Sequence, residues 1–142
     1  MTAKILNVDD HAAARYARTR VLNRAGFEVL EAATGDEAIR TVRSERPDVV
    51  LLDINLPDMT GLEVCQLLRQ DPDLQRMPII FTTASRQADS DVVTGLDSGA
   101  DNYLREPVEP TILIATIRSV LRAREAEEES GGGQAKARVH EG

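Results

Sequence analysis

Short apolar runs alternate with amphipathic stretches along this chain, the order that a parallel α/β sheet requires. Lys4–Val8 (KILNV) is continuous rather than alternating, as a strand buried on both faces would be. The next stretch predicts a helix with Ala14, Ala17, Val21 and Ala25 on one stripe and Gly26 as its stop. Phe27–Glu31 (FEVLE) predicts a second strand, and Thr34-x-x-Glu37 is a capping box opening a helix through Ala38, Ile39 and Val42 that ends before Pro47. Asp48–Asp53 (DVVLLD) is the clearest strand, and Thr60-x-x-Glu63 caps a helix bearing Val64, Leu67 and Leu68. Pro78–Thr83 (PIIFTT) makes a fourth strand. Ala88–Ser98 is weakly apolar and contains Gly95, so its helix is expected to be the least stable. Asn102–Arg105 is a short fifth strand, and Pro110 opens a last helix through Leu113, Ile114, Ile117, Val120 and Leu121. The expected architecture is therefore five strands alternating with five helices, without an internal repeat. From Glu125 the pattern changes to an acidic run, a glycine triplet and almost no apolar residues. The chain divides accordingly into a folded unit, 1–124, and an extension, 125–142, whose helix is expected to reach about Glu129 and then fray into a flexible tail.

Length and composition narrow the class. A chain of 142 residues is a prior for one domain, and 42% hydrophobic with 29% charged residues is the composition of an ordinary globule. With 24 acidic against 17 basic side chains the net charge is −7, which argues against binding a nucleic-acid backbone. One cysteine excludes an internal disulfide and a Cys-rich zinc site. No apolar run approaches the ~20 residues of a membrane span and no signal peptide opens the chain, so no membrane association and a cytoplasmic location are expected. The basic residues are fifteen Arg and only two Lys, Lys4 and Lys136.

Ligands of open parallel sheets bind beyond the carboxyl ends of the strands. There the first strand delivers Asp9 and Asp10, the third Asp53, the fourth Thr82 and Thr83, and the fifth leads into Arg105, Glu106 and Pro107. A lone Asp at a strand end is usually a turn or cap residue, but three converging carboxylates repel one another unless protonated or neutralised by a cation. An all-oxygen cluster suits a hard ion such as Mg²⁺. His11 reads as an exposed loop or helix-start residue rather than a ligand, and Cys65 as a buried structural thiol. The loop VDDHAAAR carries acids where a nucleotide-binding fold needs glycines, and the only other histidine, His140, is in the tail. Nucleotide-binding and hydrolytic enzymes are therefore disfavoured.

Together these residues resemble the receiver domains of bacterial two-component response regulators, from Ala3 to about Arg124. The resemblance is carried by VDD (Asp9, Asp10), by LLDINLPDMTG (Asp53, Pro57, Gly61), by TTAS (Thr83 before Ala84) and by GADNYLREP ahead of the last helix. It implies a doubly wound, flavodoxin-like (βα)5 fold with strand order 2-1-3-4-5. It further implies Asp53 as phosphoacceptor, served by a histidine kinase, a phosphotransfer protein or a small phosphodonor. Mg²⁺ would be held by Asp10, Asp53 and the Asn55 carbonyl, with Asp9 acting through water. Thr83 would bond the phosphoryl oxygen, Tyr103 would be the aromatic switch, and Ala84 would leave the acceptor accessible. Such a protein promotes only its own phosphorylation and dephosphorylation and is otherwise not an enzyme.

One position departs from that pattern: the lysine that normally precedes the proline is Glu106 here. At ~5 Å and an effective dielectric of ~20, one such charge pair is worth roughly 3 kcal/mol. Arg105 is adjacent, but successive strand side chains point to opposite faces, so it is a poor substitute. Two readings follow: a phosphorylatable receiver that switches a protein partner, or a pseudo-receiver that keeps the fold and acts by protein contact alone. The chain reads as a single-domain regulator or as a receiver from a larger kinase. A second stripe on the last helix (Ile112, Thr116, Ser119, Ala123), with Asp91 and Asp97 meeting Arg118 and Arg122, would suit a homodimer through the last two helices. The arginines of the first helix, Arg15, Arg18, Arg20 and Arg24, read as a solvated face, although in the family this region helps dock the phosphodonor.

Overall fold

The computed structural model describes residues 2–83 and 102–141, with side-chain environments as far as Glu128. The elements are β1 (Lys4–Val8), α1 (Ala12–Arg24), β2 (Glu28–Ala32), α2 (Gly35–Glu45), β3 (Val49–Asp53), α3 (Gly61–Arg69), a 3-10 turn (Pro72–Leu74), β4 (Ile79–Thr83), β5 (Asn102–Arg105) and α4 (Pro110–Glu141). All five strands are parallel in the order β2-β1-β3-β4-β5, the doubly wound topology expected. The helix expected over 88–98, with Asp91 and Asp97, and Ala84 lie outside the described residues.

Strand alternation divides the core into two halves. Leu6, Val8, Val50, Leu52, Ile79 and Phe81 face α2 and α3, which contribute Ala38, Ile39, Val42, Val64, Cys65 and Leu68. Ile5, Val49, Leu51 and Ile80 face the other way, against Leu22 of α1 and Leu113 and Ile117 of α4. Every residue of β3 and β4 is buried, which is why those runs read as continuous apolar segments.

Differences from expectation are local. β2 is displaced by one residue, and Phe27 packs half-buried against the α1–α4 half of the core. β3 begins at Val49 rather than Asp48, although Asp48 still pairs with Lys4, its N–H donating to the Lys4 carbonyl and its Oδ2 accepting the Lys4 N–H, both at 2.7 Å. Thr60 and Glu63 form the full capping box, whereas Glu37 reaches back to the Ala33 N–H rather than that of Thr34. The stripe expected to bury α1 does not: Ala14 and Ala17 are exposed, and Leu22 is the helix's one buried residue. These alanines instead line a shallow groove with Val21, Pro107, Val108 and Leu113. α4 continues past Glu129, where fraying was expected, through the glycine triplet to Glu141. No described helix is long and apolar enough to cross a membrane.

Candidate functional site at the carboxyl edge of the sheet

The order β2-β1-β3 reverses direction between β1 and β3, the switch point where ligands of such sheets bind. β1 ends by presenting Asp9 and Asp10 there, and β3 ends on Asp53. Asp9 is 2% exposed and Asp53 7%, whereas Asp10 stands open to solvent. The Asp9 Oδ1 accepts the His11 N–H at 2.9 Å, and its own N–H donates to the Ala32 carbonyl, extending the β1–β2 ladder by one residue.

The loop after β3 is built to hold Asp53. Asn55 donates its N–H to Asp53 Oδ1 at 3.0 Å, and Asn55 bridges to Thr60 just before α3. The Gly61 N–H donates to the Ile54 carbonyl at 2.7 Å. A Cβ on Gly61 would lie 2.5 Å from the Asp53 carbonyl oxygen, so only glycine lets the two backbones approach this closely. Asp58 in the same loop accepts the Gly35 and Asp36 N–H groups at 2.8 and 2.9 Å, tying it to the N-terminus of α2.

Thr83 ends β4 fully buried, and its carbonyl accepts the Glu106 N–H at 2.7 Å, so the β4–β5 ladder runs one residue past β5. Tyr103 is half-buried against the α2–α3 half of the core, its ring edge-on to Phe81 at 6.3 Å between centroids. Arg105 is exposed, and Glu106 carries the alternation to the opposite face. Lys4 stands at the other end of β1, 3.7 Å from Glu45, away from the acceptor edge. The buried position of Cys65 agrees with a structural thiol.

Two groups were discounted on sequence. His11 is the N-cap of α1, as a helix-start residue, yet its Nδ1 lies 3.4 Å from Asp9 Oδ1 and 3.2 Å from Asp10 Oδ1. The Asp10 carboxylate, the hydrogen bond to Asp9 and the Asp9 charge raise its pKa above the ordinary value. Arg15 and Arg18 do not belong to a solvated face: their side chains are 19% and 10% exposed. Arg15 Nη1 donates to the Asp9 carbonyl at 2.8 Å while its Nε pairs with Glu31 at 2.9 Å. Arg18 Nη2 donates to Glu106 Oε2 at 3.0 Å, and its Nη1 lies 3.7 Å from Asp9 Oδ2. All these partners lie outside α1, Glu106 88 positions away, so the helix's own pattern held no sign of them.

Ligand atoms of Asp9, Asp10, His11 and Asp53 all lie within 4.8 Å of one another. Burial pushes the Asp53 carboxyl up to about 6, opposed by the Asn55 N–H and reinforced by the Asp9, Glu106 and Asp10 carboxylates. A cluster that disfavours its own ionisation in this way fits a hard dication, which would relieve the repulsion and leave Asp53 charged.

Residues 5–118 match the family model described as the response regulator receiver domain. The chain belongs to that family. It is 44% identical over 123 residues to the transcriptional regulatory protein AfsQ1 of Streptomyces coelicolor, covering 87% of this chain and 53% of that protein. It is 42% identical over 127 residues to the DNA-binding response regulator MtrA of Mycobacterium tuberculosis, covering 89% of this chain and 54% of the other. The chain thus spans about half the length of the curated relatives it matches. Among solved structures, a CheY-like receiver domain protein from Methanospirillum hungatei superposes with a TM-score of 0.83 at 32% identity, covering 89% of this chain and 99% of that one. Receiver domains are signalling modules rather than classical enzymes, they partner with histidine kinases, and they bind Mg²⁺ at an acidic cluster. MtrA is named as DNA-binding and AfsQ1 as a transcriptional regulator, which stands against the expectation that nucleic acid plays no part, though the match covers only about half of each relative.

Proposed function

We propose that this receiver domain accepts a phosphoryl group on Asp53 from a histidine kinase or phosphotransfer protein and thereby switches a protein partner in the cytoplasm. The observation that carries this reading is the gathering of Asp9, Asp10 and Asp53 at the β1–β3 switch point, with Asp53 buried at its base. An Asp53 carboxylate oxygen attacks phosphorus, the phosphorus–nitrogen bond to the donor imidazole breaks, and that nitrogen keeps the bonding pair and takes a proton. The product is an acyl phosphate on Asp53. Mg²⁺, held by Asp10, Asp53 and the Asn55 carbonyl with Asp9 through water, would neutralise charge on the phosphoryl oxygens. The chain's own residues do the rest: Asn55 N–H orients one carboxylate oxygen, and the surrounding strands shield the acceptor from water. Thr83 ends the neighbouring strand, on the face that Tyr103 shares, so movement of the hydroxyl toward the phosphoryl group would open space for the ring. The pseudo-receiver reading rested on Glu106 alone and gains no support from this assembly.

A Mg²⁺ titration followed by amide NMR tests the metal half of the reading. Saturable shifts in the millimolar range at residues 9, 10, 53 and 55, lost in Asp10→Asn, are expected. An unresponsive sheet edge would contradict it.

A further inference from the structure

Four carboxylates, those of Asp9, Asp10, Asp53 and Glu106, stand around one sheet edge, and a phosphoryl group on Asp53 would add further negative charge. Such a cluster calls for a balancing cation beyond any metal, and Lys4 pairs with Glu45 at the far end of β1. Strand alternation identifies the direction from which one can come. Asp9, Asp53 and Glu106 continue the side-chain rows of Ile5, Leu51 and Leu104, which face α1 and α4. On that face Arg18 projects from α1 with only 10% of its side chain exposed. One guanidinium nitrogen is committed to Glu106 at 3.0 Å. The other, Nη1, is buried, lies 3.7 Å from Asp9 Oδ2, and makes no hydrogen bond among the described residues. The Asp9 charge pairs with it at that distance, but a buried donor that makes no hydrogen bond is costly, and its retention points to an acceptor that arrives.

We propose that Arg18 is the cation that binds the phosphoryl group on Asp53, with Glu106 as the positioning residue that holds the guanidinium at the site. This rests on Asp53 being the acceptor. The planar fork suits the division of labour: Nη2 stays with Glu106, cancelling a carboxylate that would otherwise repel the phosphoryl group, while Nη1 turns to a phosphoryl oxygen. A glutamate near the acceptor thereby becomes the means of anchoring a positive charge delivered from a helix. The mirrored arrangement, a cation at position 106 with no arginine at 18, should serve the same end.

That mirror supplies the test. The full chain is treated with acetyl phosphate and Mg²⁺, and the mass gain of about 80 Da is followed with time, alongside beryllofluoride affinity by ¹⁹F NMR. Arg18→Ala should slow adduct formation and weaken beryllofluoride binding, each by roughly tenfold or more. Adding Glu106→Lys to Arg18→Ala should bring both back to within about threefold of wild type, whereas adding Glu106→Gln, which removes the unpaired carboxylate but supplies no cation, should leave both impaired. If Arg18→Ala melts out, Arg18→Gln takes its place, since it keeps most of the apolar stem. An Arg18 variant within about twofold of wild type on both readouts overturns the assignment, as does a folded double variant with Glu106→Lys that recovers neither. A wild-type chain that takes up no phosphoryl group overturns the acceptor reading, and this inference with it.

Discussion

Ionising Asp53 works against its surroundings, because the carboxylate is buried beside Asp9, Asp10 and Glu106 with the Asn55 N–H opposing. Its pKa is pushed up to about 6, so the folded state holds the proton more tightly than the unfolded chain does. Stability from this group is therefore fully present below the unfolded value near pH ~4 and is lost as pH rises through about 6. Asp53→Asn should accordingly stabilise the metal-free protein at pH 7 by about 1–2 kcal/mol after allowance for solvent screening, and by little at pH 4. Urea denaturation in EDTA at both values measures it; equal stabilisation at the two would contradict the account. The three aspartates were legible in the sequence because each ends a short apolar run and must emerge at the same edge. Arg18 was not, since its partner Glu106 is 88 positions away and the intervening fold alone brings them together. His11 is legible as a helix start, but nothing in the sequence signals that its ring also reaches the acids.

Among the elements, α1 is held to the sheet less by an apolar stripe than by polar contacts. Asn7, fully buried in β1, donates from Nδ2 to the Arg15 carbonyl at 3.0 Å and to Thr19 Oγ1 at 3.1 Å. Arg15 then reaches the Asp9 carbonyl and Glu31, and Arg18 reaches Glu106. Asn7 therefore sets where α1 stands and, through it, where the Arg18 guanidinium is delivered. Asn7→Ala should lower stability by about 1–3 kcal/mol, seen as a lower urea midpoint at unchanged slope. A midpoint unchanged within error would show that the two side-chain bonds do not fasten the helix. Strands were easier to read than this helix: continuous burial on both faces leaves an unbroken apolar run, whereas contacts through Asn7, Arg15 and Arg18 leave no apolar period. The alanine stripe had the right spacing but borders a groove instead of the core.

At the scale of the whole molecule, the parallel order β2-β1-β3-β4-β5 does the positioning. It brings residues from positions 9, 53, 83 and 106 to one edge while the two apolar halves hold the layers together. That convergence was foreseeable once strands and helices alternated, because a doubly wound sheet has one ligand-binding edge. Which side-chain row each strand-end residue continues follows from the register, and this separates Asp9, Asp53 and Glu106, on the α1 face, from Thr83 and Tyr103. Every residue at this edge acts, in the proposed function, on Asp53 as phosphoacceptor. Intact-mass measurement after incubation with acetyl phosphate and Mg²⁺ tests it most directly. One adduct of about 80 Da is expected on the wild-type chain, dependent on Mg²⁺ and absent from Asp53→Asn. A wild-type chain that takes no adduct, or an Asp53→Asn chain that takes the same one, would contradict it.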